Sequence, residues 1–150
     1  MSEKALSHLK VIDLSWHIAG PYCTKLLADY GAEVIKIEKP GVGDPARMEG
    51  PFPNDEVNLN ASGLYAYLNN NKRSVTLDLK SEQGVNVVKS LIRDADVLDE
   101  NFSPGVMQRL GLDYETLKEI NPKLVMTSIS TLGKQVDLLI TKQQSLLRRR

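Results

Sequence analysis

Val11-Ile12-Asp13-Leu14-Ser15-Trp16-His17-Ile18-Ala19-Gly20-Pro21-Tyr22-Cys23 reads as a strand that stops, a tight turn and a helix that starts. Val11, Ile12 and Leu14 form the short, β-branched apolar run of a buried strand. Gly20-Pro21 is turn chemistry, and a proline fits a first helical position because the N–H it lacks has no partner there anyway. The spacing predicts a helix over Pro21 to Tyr30 with Cys23, Leu26, Leu27 and Tyr30 on its apolar face, ended by Gly31. A strand that feeds a helix through so short a turn leaves backbone N–H groups for an anionic or carbonyl-bearing ligand.

Working outward, Lys10 to Leu14 is the first strand, and Glu33-Val34-Ile35-Lys36-Ile37-Glu38 alternates as the second. Two strands joined by one helix over so few residues predict a right-handed βαβ unit and a parallel sheet. Pro40 to Asn60, rich in Gly, Pro, Asp and Asn, is a loop long for a compact domain, which marks it as functional or mobile. A short helix from Leu64 to Leu68 precedes a third strand, Lys72 to Leu79. Ser81 opens a helix with Val85, Val87, Val88, Leu91 and Ile92 as its apolar positions. A fourth strand, Ala95 to Leu98, two short helices (Val106 to Leu110 and Tyr114 to Ile120) and a fifth strand, Leu124 to Ile129, complete the pattern. The fold class is α/β: a Rossmann-like open parallel sheet of about five strands with flanking helices.

The 150 residues are the size of one domain, and 19 basic residues balance 19 acidic ones, so no global field calls for nucleic acid. A single cysteine excludes an internal disulfide and a cysteine zinc cage, and His8 and His17 have no metal-ligand spacing, so no metal is expected. The N-terminus has no apolar signal core and no run approaches a membrane span, which leads to the expectation of a cytoplasmic protein without a membrane partner.

In open α/β sheets ligands lie off the carboxyl ends of the strands. The residues there are His17, Ile18 and Ala19, then Lys39, then Leu77, Asp78, Leu79 and Lys80, then Asn101, Phe102 and Ser103, and Ile129-Ser130. Taken singly, Lys39, Lys80 and Arg109 are ordinary solvated cations. Gathered at one edge, they would suit phosphates, with Phe102 to stack on a purine. Gly41-Val42-Gly43-Asp44-Pro45-Ala46 is not a dinucleotide fingerprint, because Pro45 and Ala46 stand where the third glycine and the helix should begin. His17 has no acidic orienter nearby in sequence and reads as structural rather than as a general base. Cys23 reads as core and Trp16 as packing or a pocket wall. No Ser/His/Asp arrangement is visible.

In order, the chain carries Leu9-Lys10-Val11-Ile12-Asp13-Leu14, Ala19-Gly20-Pro21-Tyr22-Cys23, Leu27-Ala28-Asp29-Tyr30-Gly31-Ala32-Glu33-Val34-Ile35-Lys36-Ile37-Glu38, Gly43-Asp44-Pro45-Ala46-Arg47, Asn71-Lys72-Arg73-Ser74, Leu77-Asp78-Leu79-Lys80, Glu100-Asn101-Phe102-Ser103-Pro104-Gly105, Arg109-Leu110-Gly111-Leu112-Asp113-Tyr114 and Asn121-Pro122-Lys123-Leu124. This text resembles the family III coenzyme A transferases, which include formyl-CoA transferase, carnitine CoA-transferase and the 2-methylacyl-CoA racemases. The resemblance implies that residues 1–130 are a Rossmann-like part holding coenzyme A as substrate. The implied contacts are Ile18, Ala19, Lys39, Leu77, Asp78, Leu79, Lys80, Asn101, Phe102, Ser103 and Arg109. It implies acyl-CoA and carboxylic acid substrates and, for full-length relatives, interlocked homodimers, so that this chain by itself is expected to expose apolar surface and associate. Lys39 stands where some relatives carry Arg, which keeps a point charge but loses bidentate geometry.

In the family's transferases an aspartate attacks the acyl thioester, forms a mixed anhydride and then an enzyme thioester. That aspartate is expected downstream of residue 150, so no catalytic residue is assigned here. Residues 131–150 form an atypical tail ending Leu146-Leu147-Arg148-Arg149-Arg150. With suitable codons, Ile140 to Ser145 read one base out of register spells Tyr-Lys-Ala-Thr-Glu-Ser, which leads to the expectation of a frameshift from about Val136, checked by the nucleotide sequence. The rival readings are a non-catalytic coenzyme A or nucleotide-binding module, a racemase fragment and, disfavoured by the broken glycine pattern, a nicotinamide oxidoreductase.

Overall fold

A computed structural model describes residues 4–130. Five parallel strands, β1 (Lys10–Asp13), β2 (Glu33–Glu38), β3 (Arg73–Thr76), β4 (Val97–Glu100) and β5 (Val125–Ser128), form one sheet in the order β3-β2-β1-β4-β5. The helices are α1 (Ala19–Asp29), α2 (Gly63–Leu68), α3 (Glu82–Ile92), α4 (Val106–Arg109) and α5 (Tyr114–Ile120). The expected α/β sheet of five strands is the observed one. The loop between β2 and α2 carries two 3-10 turns, Pro45–Met48 and Pro53–Asp55. The basic tail, with its expected frameshift, lies outside the described residues.

Sequence alternation sends neighbouring side chains to opposite faces of the sheet. On one face Ile12, Ile37 and Leu98 pack with Val88 and Ile92 of α3, Leu117 of α5, and Leu112 and Leu124 in the larger core. On the other, Val11 and Val34 pack with Ala28 near the end of α1 and Ala32 in the turn before β2. Helix starts are set by side-chain caps: Ser62, Ser81 and Asp113 accept from Tyr65, Gly84 and Thr116 N–H.

Two sequence expectations about α1 need correction. The helix begins at Ala19, so Gly20 and Pro21 are its first turn rather than a turn before it. Its buried side is Gly20, Pro21, Thr24 and Ala28, because the helix lies close to β1 and only small residues fit. Leu26 and Tyr30, expected inside, are 42% and 63% exposed. With Ile18 and Tyr22 they form an outward apolar stripe recurring every fourth residue. The fourth strand also starts later than expected, at Val97, because Ala95 closes the end of α3 by bonding to Ile92 O.

Candidate functional site

In this strand order, β1 is followed by a crossover to one side and β4 lies on its other side. The carboxyl ends of β1 and β4 are therefore the switch point where such sheets hold ligands. The two loops that leave it are tied together. The Asn101 side chain accepts from Trp16 N–H at 2.8 Å and donates to Trp16 O at 2.7 Å. The Phe102 and Trp16 rings meet edge to face, 5.4 Å apart. Trp16, expected as packing or a pocket wall, thus packs on Phe102 at the switch point. After this clamp His17 takes a left-handed conformation (φ 72°), an uncommon geometry for a side-chain-bearing residue, and its N–H donates to Asp44 Oδ1 at 3.0 Å. α1 then starts at Ala19 with no side chain capping it and no acid in its first turn. Its first amides and its positive dipole end face the crevice edge.

Beneath that turn the sheet carries a charged row. Lys36 of β2, Asp13 of β1 and Asp99 of β4 are register partners on adjacent strands, all buried on the face that α1 covers. Lys36 Nζ lies 2.7 Å from Asp44 Oδ2, 3.9 Å from Asp13 Oδ2, and donates to Ser15 O at 2.6 Å. Lys72 Nζ reaches in from the segment before β3 to Asp13 Oδ2 (3.0 Å), Pro21 O (2.8 Å) and Asn69 Oδ1 (2.9 Å). Asp13 also accepts from Ser15 Oγ and N and from Thr24 Oγ1. Burial pushes the Asp13 carboxyl up, but Lys36, Lys72 and the two hydroxyls outweigh it and hold the group below the usual carboxylate range. Burial pulls Lys72 down, against the attraction of Asp13.

At the end of β2, Glu38 anchors the long loop. It accepts from Arg47 Nε (2.7 Å) and Nη2 (2.8 Å), Tyr65 OH (2.6 Å), Ser74 Oγ (2.6 Å) and Asp44 N (2.9 Å), and Arg47 lies over the Tyr65 ring at 3.6 Å. Burial disfavours the charged carboxylate, yet Arg47, Ser74 and Tyr65 overcome this and pull Glu38 down to about 2. A carboxyl depressed in the folded state contributes stability above its unfolded value near 4.5, and that contribution is lost as pH falls toward 2. Urea denaturation is expected to show this acid loss in the wild-type chain and a shallower one in Glu38→Gln.

The residues expected at the site leave four adjacent strands at one edge. Ile18 and Ala19 follow β1, Lys39 follows β2, Leu77 to Lys80 follow β3, and Asn101 to Ser103 follow β4. Lys39, Lys80 and Arg109 are exposed and form no ion pair among the described residues. Arg109, at the end of α4, folds back over Gly105 toward the β4–α4 loop. Other side chains have structural partners: Leu77, Leu79 and Phe102 pack on the larger core, the Asp78 carboxylate accepts from Lys80 N–H, and the Asn101 amide holds Trp16. His17 does have an acidic orienter, Glu49, 32 positions further on, with Nε2 2.5 Å from Oε1. No local sequence pattern marks that pair, nor the buried charged row. Among the described residues no three His, Cys, Asp or Glu side chains converge as a metal site, and no helix is long and apolar enough to cross a membrane. A groove of about 490 Å³, lined by Met107, Tyr114, Leu124 and Met126, runs beside β5, away from the switch point.

The sequence pattern of the family described as CoA-transferase family III matches residues 6–138. A Fusarium pseudograminearum protein named acyl-CoA transferase is 47% identical over 137 residues, which are 89% of this chain and 30% of that protein. A formyl-CoA:oxalate CoA-transferase of Afipia carboxidovorans is 46% identical over 132 residues, covering 87% of this chain and 30% of the relative. Among solved structures, a CAIB/BAIF family protein from Brucella suis superposes with a TM-score of 0.76 at 40% identity, over 85% of this chain and 33% of that one. Rv3272 of Mycobacterium tuberculosis superposes with a TM-score of 0.78 at 32% identity, over 98% of this chain and 42% of that one. The chain therefore spans about a third of the length of the curated relatives it matches.

Proposed function

Because the chain belongs to CoA-transferase family III, we propose that its 150 residues are the part of an acyl-CoA:carboxylate CoA-transferase that holds coenzyme A. What supports this reading is the β1/β4 switch point with an uncapped helix start beside it, and, along the same end of the sheet, Lys39, Lys80 and Arg109, which form no ion pair among the described residues. Lys39, Lys80 and Arg109 offer charge to the phosphates. The first amides of α1, at Ile18 and Ala19, offer hydrogen bonds to an anionic or carbonyl oxygen. Backbone at Leu77 to Lys80 and at Asn101 to Ser103 forms the walls, and Phe102 the aromatic surface.

In this reading the donor of coenzyme A is an acyl-CoA thioester and the acceptor a carboxylic acid, and the family's nucleophilic aspartate comes from sequence that this chain does not span. The chain alone is then expected to hold coenzyme A without exchanging acyl groups. The outward stripe Ile18, Tyr22, Leu26 and Tyr30 fits a surface that the rest of a family member, or its second subunit, covers. The place of work is cytoplasmic.

Calorimetry with coenzyme A tests the reading. The expected dissociation constant is tighter than about 1 mM, the equivalent of roughly 4 kcal/mol. Lys39→Ala and Lys80→Ala are each expected to weaken binding several-fold, with a smaller salt dependence than wild type. No heat at millimolar coenzyme A, or affinity indifferent to both substitutions, contradicts it.

A further inference from the structure

Asp99 is the member of the buried charged row that forms no ion pair among the described residues. It is 1% exposed, and among the described residues no backbone amide and no cation bonds either carboxyl oxygen; the hydroxyl beside it is that of Ser15. The charges around it already cancel, since Asp13 and Asp44 face Lys36 and Lys72. The groups that face Asp99 are Asp13 and Ser15 on and after β1, Glu100 on its own strand, Lys72 from the segment before β3, and Cys23 on α1. Two of these are acids and one is a cation engaged with Asp13.

The packing over Gly20 shows what Asp99 can bond. A Cβ at Gly20 would lie 2.2 Å from Ser15 Oγ and 2.8 Å from Asp99 Oδ2, so both oxygens converge on the first turn of α1. The Ser15 hydroxyl already gives its only proton to Asp13 Oδ1, at 2.5 Å. Ser15 can therefore only accept from Asp99, and Asp99 can bond it only by carrying a proton itself.

We propose that Asp99 is a proton-loaded latch on the β1–α1 turn: the neutral carboxyl donates to Ser15 beside Gly20 in the first turn of α1, and loss of that proton loosens the turn. Asp99 is a positioning residue, acting through Ser15 on the backbone of the turn. Burial, and then Asp13, push its carboxyl up to about 7. A carboxyl raised in the folded state contributes stability that is fully present below its unfolded value of 3.8 and lost as pH rises through about 7. Asparagine at this position donates in the same place but does not titrate.

The test is urea denaturation of the full 150-residue chain, wild type and Asp99→Asn, at pH 5.5 and pH 8. The wild-type unfolding constant is expected to rise about 30-fold between the two, and that of Asp99→Asn to lack this increment. Identical pH dependence in the two chains overturns the latch. Carbon-13 NMR of the wild-type aspartate carboxyls gives a second readout that needs no variant. A midpoint near 7 for Asp99 supports the latch, and one below about 5 overturns it. The effect on ligand binding rests on the coenzyme A reading: affinity is expected to fall from pH 5.5 to pH 8 in wild type only. Absence of coenzyme A binding at both pH values, with the stability difference intact, removes that reading and leaves the latch standing.

Discussion

Replacing Lys36 by Met is expected to cost the folded chain about 3–5 kcal/mol, the loss typical of breaking a buried ion pair from one side. Lys36 is fully buried, and its ammonium is the cation that faces Asp44 while also bonding Ser15 O. Methionine matches the volume but leaves the Asp44 carboxylate unbalanced and weakens the hold on Asp13. Asp44 in turn accepts from His17 N–H and Ala46 N–H, so the disturbance reaches the β1–α1 turn and the long loop together. A stability of 5–15 kcal/mol is usual for a domain, so the loss leaves little margin. Adding Asp44→Asn is expected to recover much of it, because removing both charges of a buried pair is close to neutral. Urea denaturation of the single and double variants checks both numbers; a single-variant loss under about 1 kcal/mol would show that the row carries no strong coupling.

Gly84→Ala is expected to be nearly as damaging, and to strike the other side of the site. A Cβ there would lie 2.1 Å from Asp78 O and 2.8 Å from Asp78 C, both backbone atoms. The Asp78 carbonyl is itself held by Ser81 N–H (3.0 Å) and Ser81 Oγ (2.8 Å), and Ser81 Oγ caps Gly84 N–H (3.0 Å). The start of α3 and the Leu77–Lys80 loop are thus one interlocked piece, and the methyl has to push them apart. Overpacking of this kind costs about 1–3 kcal/mol, and contact with backbone puts the expected loss at the upper end, about 3 kcal/mol. The better helix propensity of alanine returns about 1 kcal/mol at most, so the clash wins. Thermal unfolding reads the stability, and calorimetry is expected to show weakened coenzyme A binding through the displaced loop. A variant as stable as wild type would mean that the loop yields freely.

The strand-and-helix order was legible in the chain because each element carries its own period. Tyr114 to Ile120 has the bounds its pattern predicted, and Glu33 to Glu38 does too. What single-element patterns misjudge is which face is covered. Leu26 and Tyr30 look like core on a helical wheel, yet α1 approaches β1 through Gly20, Thr24 and Ala28. In β2, alternation makes Lys36 and Glu38 look solvent-facing, but a parallel sheet is covered on both faces and inward charges must find partners. Those partners, Asp13, Asp44, Arg47 and Ser74, come from other strands and from the long loop, so no local pattern announces them. The strand-end rule located the edge where the candidate residues leave the sheet. It could not tell side chains that face solvent, such as Lys39, from those that hold the scaffold, such as Asn101.

The strand order also bears on how the protein is made. β1 leaves the ribosome first, yet it ends at the centre of the sheet, between β2 and β4. Until Val97–Glu100 has been synthesised, one flank of β1 lacks the partners that later accept from Leu14 N–H and donate to Lys10 O. Elongation at roughly 5–20 residues per second keeps that open flank waiting for seconds. A nascent chain halted short of β4 is therefore a half-sheet with a free central edge, the form in which chaperone capture or strand-to-strand aggregation competes most strongly with folding.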